Sequence, residues 1–139
     1  NLAVVLASLP FYSPGSGLRI NGHGLALWLT SPFYLLAFWP RRGRGLYTAA
    51  AVAAAAVALP NLLYQNTGWI QFGYRFSNDF ALFLFLMIAA SGRRLGRWFW
   101  LAAITAVLVN GFGAVTFGKA DYQRFYFVDR TQKVLFAPD

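Results

Sequence analysis

Long apolar blocks separated by short polar stretches set the pattern of this chain. Leu2 to Tyr12 is apolar for 11 residues, about half of the ~20 needed to cross a bilayer as a helix. It reads as the last part of a helix that Pro10, Pro14, Gly15 and Gly17 then stop. Ser13 to His23 reads as a polar, glycine-rich loop. Gly24 to Trp39 is the first full candidate span, short and with a kink expected at Ser31-Pro32. Leu46 to Tyr64 is the second. Its core from Ala49 to Ala58 is nearly all Ala and Val, and small side chains permit close helix approach in lipid, so it should lie inside a bundle, with Pro60 bending its end. Gln65 to Ser77 is a second polar loop, rich in aromatics. Ser77 or Asn78 can cap a third helix running to about Ser91. Trp98 to Phe117 is the fourth, and Gly118 to Asp139 is too polar to span. The pattern therefore predicts an all-α, polytopic transmembrane helical bundle. Its membrane region is 1–117, with spans near 24–39, 46–64, 78–91 and 98–117 and a partial N-terminal helix, and its extramembrane tail is 118–139.

Composition supports membrane insertion. The chain is 58% hydrophobic and 12% charged, where a soluble domain is about a quarter charged. Its net charge of +8 would suggest nucleic acid in a soluble protein. Here six of the 12 Lys and Arg residues form two clusters, Arg41, Arg42, Arg44 and Arg93, Arg94, Arg97, each beside an apolar block. That is the positive-inside signature, and it points to anionic lipid headgroups rather than nucleic acid. It places turns 41–44 and 93–97 in the cytoplasm, and loops 13–23 and 65–77 and the tail outside. Lys119, Arg124, Arg130 and Lys133 in the tail run against a strict count, but short turns carry most of the topological signal. The similarity of the two arginine turns reads either as one topology rule obeyed twice or as a duplicated hairpin. There is no Cys, so no disulfide framework or thiol nucleophile exists. The sole Met is Met87, and residues 1–12 have no basic leader, which reads as a C-terminal piece of a longer polytopic protein.

Candidate chemistry gathers in the second polar loop. Tyr64, Trp69 and Tyr74 are placed to stack on a sugar or polar headgroup, while Gln65, Asn66, Gln71 and Arg75 offer hydrogen bonds. The alternative is a capped helix start with an interfacial aromatic belt. Arg75 and Asp79 are four residues apart and can pair if the helix begins early. His23 lies at the mouth of the first full span. With Asp79 it supplies two metal ligands or an acid–base pair only if the two outer loops meet. Asn110, inside the fourth helix, is suited to an interhelical hydrogen bond. The near-absence of charge within the spans argues against a proton pump, a voltage sensor or an ion-coupled carrier. No catalytic triad or phosphate-binding glycine loop is present.

The stretch Gln71-Phe72-Gly73-Tyr74-Arg75-Phe76-Ser77-Asn78-Asp79-Phe80, with Asn21-Gly22-His23-Gly24 upstream and Val134-Leu135-Phe136-Ala137-Pro138-Asp139 at the end, resembles bacterial GT-C-type membrane glycosyltransferases of the family 39 mannosyltransferase-like group. The resemblance covers residues 12 to 139 and is carried by loose motifs. It implies a multi-pass protein of the bacterial inner membrane and a polyprenyl-phosphate sugar donor at the outer face. It also implies a catalytic acid in a first outer loop that this chain does not contain. The chain would then be a C-terminal part framing the lipid donor. Its partners would be membrane lipids, a polyprenyl-linked sugar and the rest of the same chain or other membrane subunits. No catalytic residue and no cofactor is assigned, and a divalent metal is implied only for a full-length enzyme. A non-catalytic accessory subunit of a larger complex fits the same sequence.

Overall fold

The structure, a computed structural model, describes residues 1–40, 45–64, 66, 68 and 70–127. In chain order the elements are helix α1 (Leu2–Ala7), strands β1 (Phe11–Ser13) and β2 (Gly17–Asn21), helix α2 (Leu27–Thr30), a 3-10 turn (Pro32–Phe38) and helix α3 (Leu46–Leu63). A second 3-10 turn (Arg75–Ser77) leads into helix α4 (Asn78–Ala90). Helix α5 (Arg97–Thr116), a third 3-10 turn (Ala120–Phe125) and strand β3 (Tyr126–Phe127) follow.

The expected four-span, all-α bundle is not what the chain forms. A small three-stranded sheet is present, and among the described residues two helices, Leu46–Leu63 and Arg97–Thr116, are long and apolar enough to cross a membrane. Two of the four expected spans fail for local reasons. Residues 24–39 break into the four-residue α2 and a 3-10 turn, because Pro32 donates no backbone hydrogen bond and restricts Ser31 before it. Helix α4 has 13 residues, about 20 Å of rise, where the hydrocarbon core is about 30 Å thick. The apolar start also divides: α1 ends at Ala7, Ser8 is extended, and the chain enters β1. The loop expected at 13–23 is mostly sheet. Pro14 presets the turn that joins β1 to β2, closed by Gly17 at φ 73°. β2 then pairs antiparallel with β1 and parallel with β3, with Ile20 opposite Tyr126. Part of the expected extramembrane tail thus folds back onto the start of the chain. Residues 128–139 and the basic turn 41–44 lie outside the described residues.

The core sits between α1, the first 3-10 turn, α3 and α4. It contains Val4, Val5, Tyr34, Ala37, Ala50, Ala54, Phe80, Leu84, Met87 and Ile88. The alanines of α3 meet the large side chains of α4, which lets these two helices pack closely. The Tyr47 hydroxyl donates to the Ala37 carbonyl at 2.8 Å, tying α3 to the 3-10 turn. Phe33 stacks on Phe85 at 5.5 Å and approaches Phe99 at 6.3 Å, so one ring bridges α4 and α5. As expected of Asn110, its amide joins two helices, donating to the Thr30 carbonyl at 2.6 Å.

Burial in the two long helices is inverted. The buried positions of α3 are Ala50 and Ala54, and those of α5 are Ala106, Gly113 and Thr116. The large apolar side chains point outward: Val107 is 71% exposed and Leu108 68%. Trp98, Trp100, Leu101, Ile104, Val115, Leu46, Val52, Leu59 and Leu63 join them. Outward-facing apolar side chains in this number mark helix faces that meet lipid or another protein.

Gly113 is where the second polar loop seats on α5. A Cβ placed there falls 2.4 Å from the Phe72 ring, whereas a Cβ on Gly111 meets nothing within 4 Å. Gly113→Ala should therefore destabilise the chain by roughly 1–3 kcal/mol through overpacking, although a helical Gly→Ala change is normally favourable. Gly111→Ala should stabilise it by up to about 1 kcal/mol through helix propensity. Thermal unfolding of the two variants in neutral detergent should move in opposite directions.

Candidate functional site

Two polar junctions lie at the end of the molecule formed by the sheet and the second loop. In the first, the two loops meet. The Gln71 amide N–H donates to the Gly22 carbonyl at 2.7 Å and Leu25 N–H to the Phe72 carbonyl at 2.7 Å, with Leu25 and Gly73 in a parallel bridge. The side chain completes the tie: Gln71 Nε2 donates to the His23 carbonyl at 2.6 Å, and its Oε1 accepts from the Arg75 N–H at 3.1 Å. Asn21 turns the chain inward by accepting the His23 N–H at 2.9 Å. Asn21, His23 and Gln71 are all buried, and their polar groups hold the junction closed.

The second junction surrounds Asn61, near the end of α3. Its Nδ2 donates to Asp79 Oδ2 at 2.9 Å, and its carbonyl accepts the Tyr74 hydroxyl at 3.0 Å. Asn1 Nδ2 lies 2.8 Å from the same carbonyl, 2.7 Å from that of Tyr64 and 2.9 Å from that of Asn66. The last carbonyls of a helix have no intrahelical donors, and Asn1 supplies one. Tyr74 is nearly fully buried. Burial raises its pKa above the usual tyrosine value, and the negative charge of Asp79 raises it further.

These placements divide the predicted site. His23, Gln71 and Tyr74 are buried and structural. Tyr64, Asn66, Arg75 and Asp79 are exposed around the second junction; Gln65 and Trp69 lie outside the described residues. The Arg75–Asp79 pair does not form. The Arg75 guanidinium lies 5.5 Å over the Phe76 ring, and Asp79 is engaged by Asn61. The two polar loops do meet, but at Gln71, with Asp79 outside that contact in the first turn of α4. Among the described residues no three His, Asp or Glu side chains come together as metal ligands. Asn61 was not singled out in the sequence, although an amide just after Pro60 at the end of an apolar run was a signal for it.

A groove of about 560 Å³ runs beside the second junction. Its walls are apolar: Leu2 and Leu6 of α1, Ala51, Ala55, Ala58 and Leu62 of α3, Phe80 and Leu84 of α4, and Phe38 at the far end. A smaller cavity of about 260 Å³ lies at the opposite end of α4, beside the second arginine turn.

Compared with known proteins, the chain matches no family model, and neither a curated protein nor a solved structure shows significant similarity to it.

Two outcomes follow from the junctions. Gln71→Leu removes a side chain that pairs two backbone groups, and unpaired buried groups cost about 1–3 kcal/mol each. The variant should lose roughly 2 kcal/mol or more of stability, with hydrogen exchange accelerated at Leu25 and Arg75. Tyr74 makes stability depend on alkaline pH. Its folded pKa exceeds the unfolded value of about 10, so its contribution is complete below pH ~10 and is lost as pH rises through the folded value. Tyr74→Phe should lower stability at pH 7 by about 1 kcal/mol and flatten the decline above pH 10 in alkaline melts.

Proposed function

We propose that this chain is a membrane-seated helical module that holds the hydrocarbon chain of a lipid-linked sugar and frames its headgroup at the outer face, as part of a larger GT-C-like glycosyltransferase. The groove carries this reading. It extends along α3 from Tyr47 to Leu62, about 22 Å of helical rise. Its lining is apolar over that whole length, the environment in which a hydrocarbon chain leaves water. Leu62 and Phe80 at its end are sequence neighbours of Asn61 and Asp79, which sets hydrogen-bonding groups beside the apolar channel. The outward-facing side chains of α3 and α5 support lipid as the surrounding solvent, and the arginine turn 93–97 supports a cytoplasmic position for the opposite end. The transfer chemistry belongs elsewhere in such an assembly.

A non-catalytic accessory subunit is the second reading. It is favoured by one observation: two buried members of the predicted site have structural bonds, Gln71 tying the two loops together and Tyr74 tying the second loop to α3.

Ala55 is exposed and lines the groove, so Ala55→Phe fills the channel without disturbing the core. Lipid extracted with the purified chain should contain a polyprenyl phosphate, reduced about tenfold in Ala55→Phe at unchanged membrane insertion. Equal polyprenyl content in both proteins, or phospholipid alone in both, refutes the framing role and leaves the accessory reading.

A further inference from the structure

The 260 Å³ cavity at the other end of α4 has a different chemistry. Arg93, Arg94 and Arg97 line it, over an apolar floor of Leu36, Ile88 and Phe99. We infer that this cavity binds the headgroup phosphate of an anionic phospholipid, with the three arginines on the phosphate and an acyl chain leaving across the apolar floor.

Among the described residues the only acidic ones are Asp79 and Asp121, and neither lines the cavity; Asp79 is in the first turn of α4, nine residues or about 13 Å along the helix from Ile88, and Asp121 follows α5. Three guanidiniums near one another repel, and an anion between them relieves that repulsion. Two of the arginines are held in place. Arg93 Nε donates to the Trp39 carbonyl, and the Arg97 guanidinium lies 5.2 Å over the Trp98 ring. Arg97 also opens α5, whose first turn contains no acidic residue and whose N-cap is Gly96, which contributes no side-chain cap. The positive end of the helix dipole thus adds to the arginines.

The floor distinguishes a lipid from a soluble anion. Inorganic phosphate would gain nothing from Leu36, Ile88 and Phe99, whereas an acyl chain continues from them over the exposed apolar side of α5. Trp98 and Trp100 are exposed at this level, where indole rings favour the headgroup region. Basic pockets between membrane helices on the cytoplasmic side are a recurrent means of holding phospholipid headgroups. The choice of a lipid source rests on the membrane-seated reading; the anion site itself rests on the cavity.

The test uses the full chain in neutral detergent micelles, so it requires no insertion. Native mass spectrometry with cardiolipin, phosphatidylglycerol and phosphatidylcholine as probes should show retention of the two anionic lipids. Arg94→Gln with Arg97→Gln should weaken that retention at least tenfold. Lys119→Gln with Arg124→Gln, an equal loss of charge at exposed sites beyond the other end of α5, should leave it within twofold. Equal loss in both double variants means diffuse surface charge and overturns the site. Displacement of the lipid by millimolar inorganic phosphate overturns the lipid assignment in favour of a free anion. Flotation of the chain with liposomes reads the membrane-seated proposal separately, so failure of one is not mistaken for failure of the other.

Discussion

The side-chain amide of Gln71 sits where two loops would otherwise end in unpaired polar groups. Its nitrogen satisfies the His23 carbonyl and its oxygen the Arg75 N–H, while its backbone joins Gly22. Each such bond contributes only about 1 kcal/mol net, but leaving either group buried and unpaired costs more than that. The position of the loop follows from this tie. With residues 71–73 fixed beside Gly22 and Leu25, Phe72 is presented to α5 and packs against Gly113. Tyr74 is turned inward to reach Asn61. The sheet, α3, α4 and α5 are thus referred to one another through a polar contact that no helix–helix packing could supply.

Away from that contact, the two long helices contribute small residues to the interior. Ala50, Ala54, Ala106 and Gly113 occupy buried positions there, and on α3 the alanines let the large buried side chains of α4 approach closely. The bulk of the apolar surface is turned outward, the reverse of a water-soluble helix pair, in which the largest side chains define the buried stripe. The same inversion yields the groove, since a wall of alanines cannot fill the space between α1, α3 and α4.

The long helices were legible in the chain because their apolar runs are long and each begins just after a Gly. The expected boundaries of 46–64 and 98–117 fall within a residue of the observed ones. The sheet was not legible. Its strands are two to five residues long, and β3 finds its partner more than a hundred residues away, a non-local pairing with no local signature. Residues 24–39 misled because hydropathy records solvent preference and not backbone conformation: Pro32 leaves the segment apolar but prevents a continuous helix. In the candidate site, residue types were informative and roles were not. Gln71 has the chemistry of a ligand-binding group, and its burial between two loops makes it a tie instead; His23 is buried beside it. Asp79 looked like a partner for Arg75, but Asn61, on another helix, lies nearer its carboxylate.

The inverted burial of α3 and α5 changes where substitutions are felt. Over most of a soluble helix, the largest side chains are the ones that tolerate least exchange. Here Leu, Val and Ile on the outer faces touch few neighbours, and one branched aliphatic can stand in for another. Gly113 has no such latitude, because a single added methyl group there must displace the Phe72 ring. Divergent copies of this chain would drift in the bulky residues of the outer faces while holding this smallest one fixed.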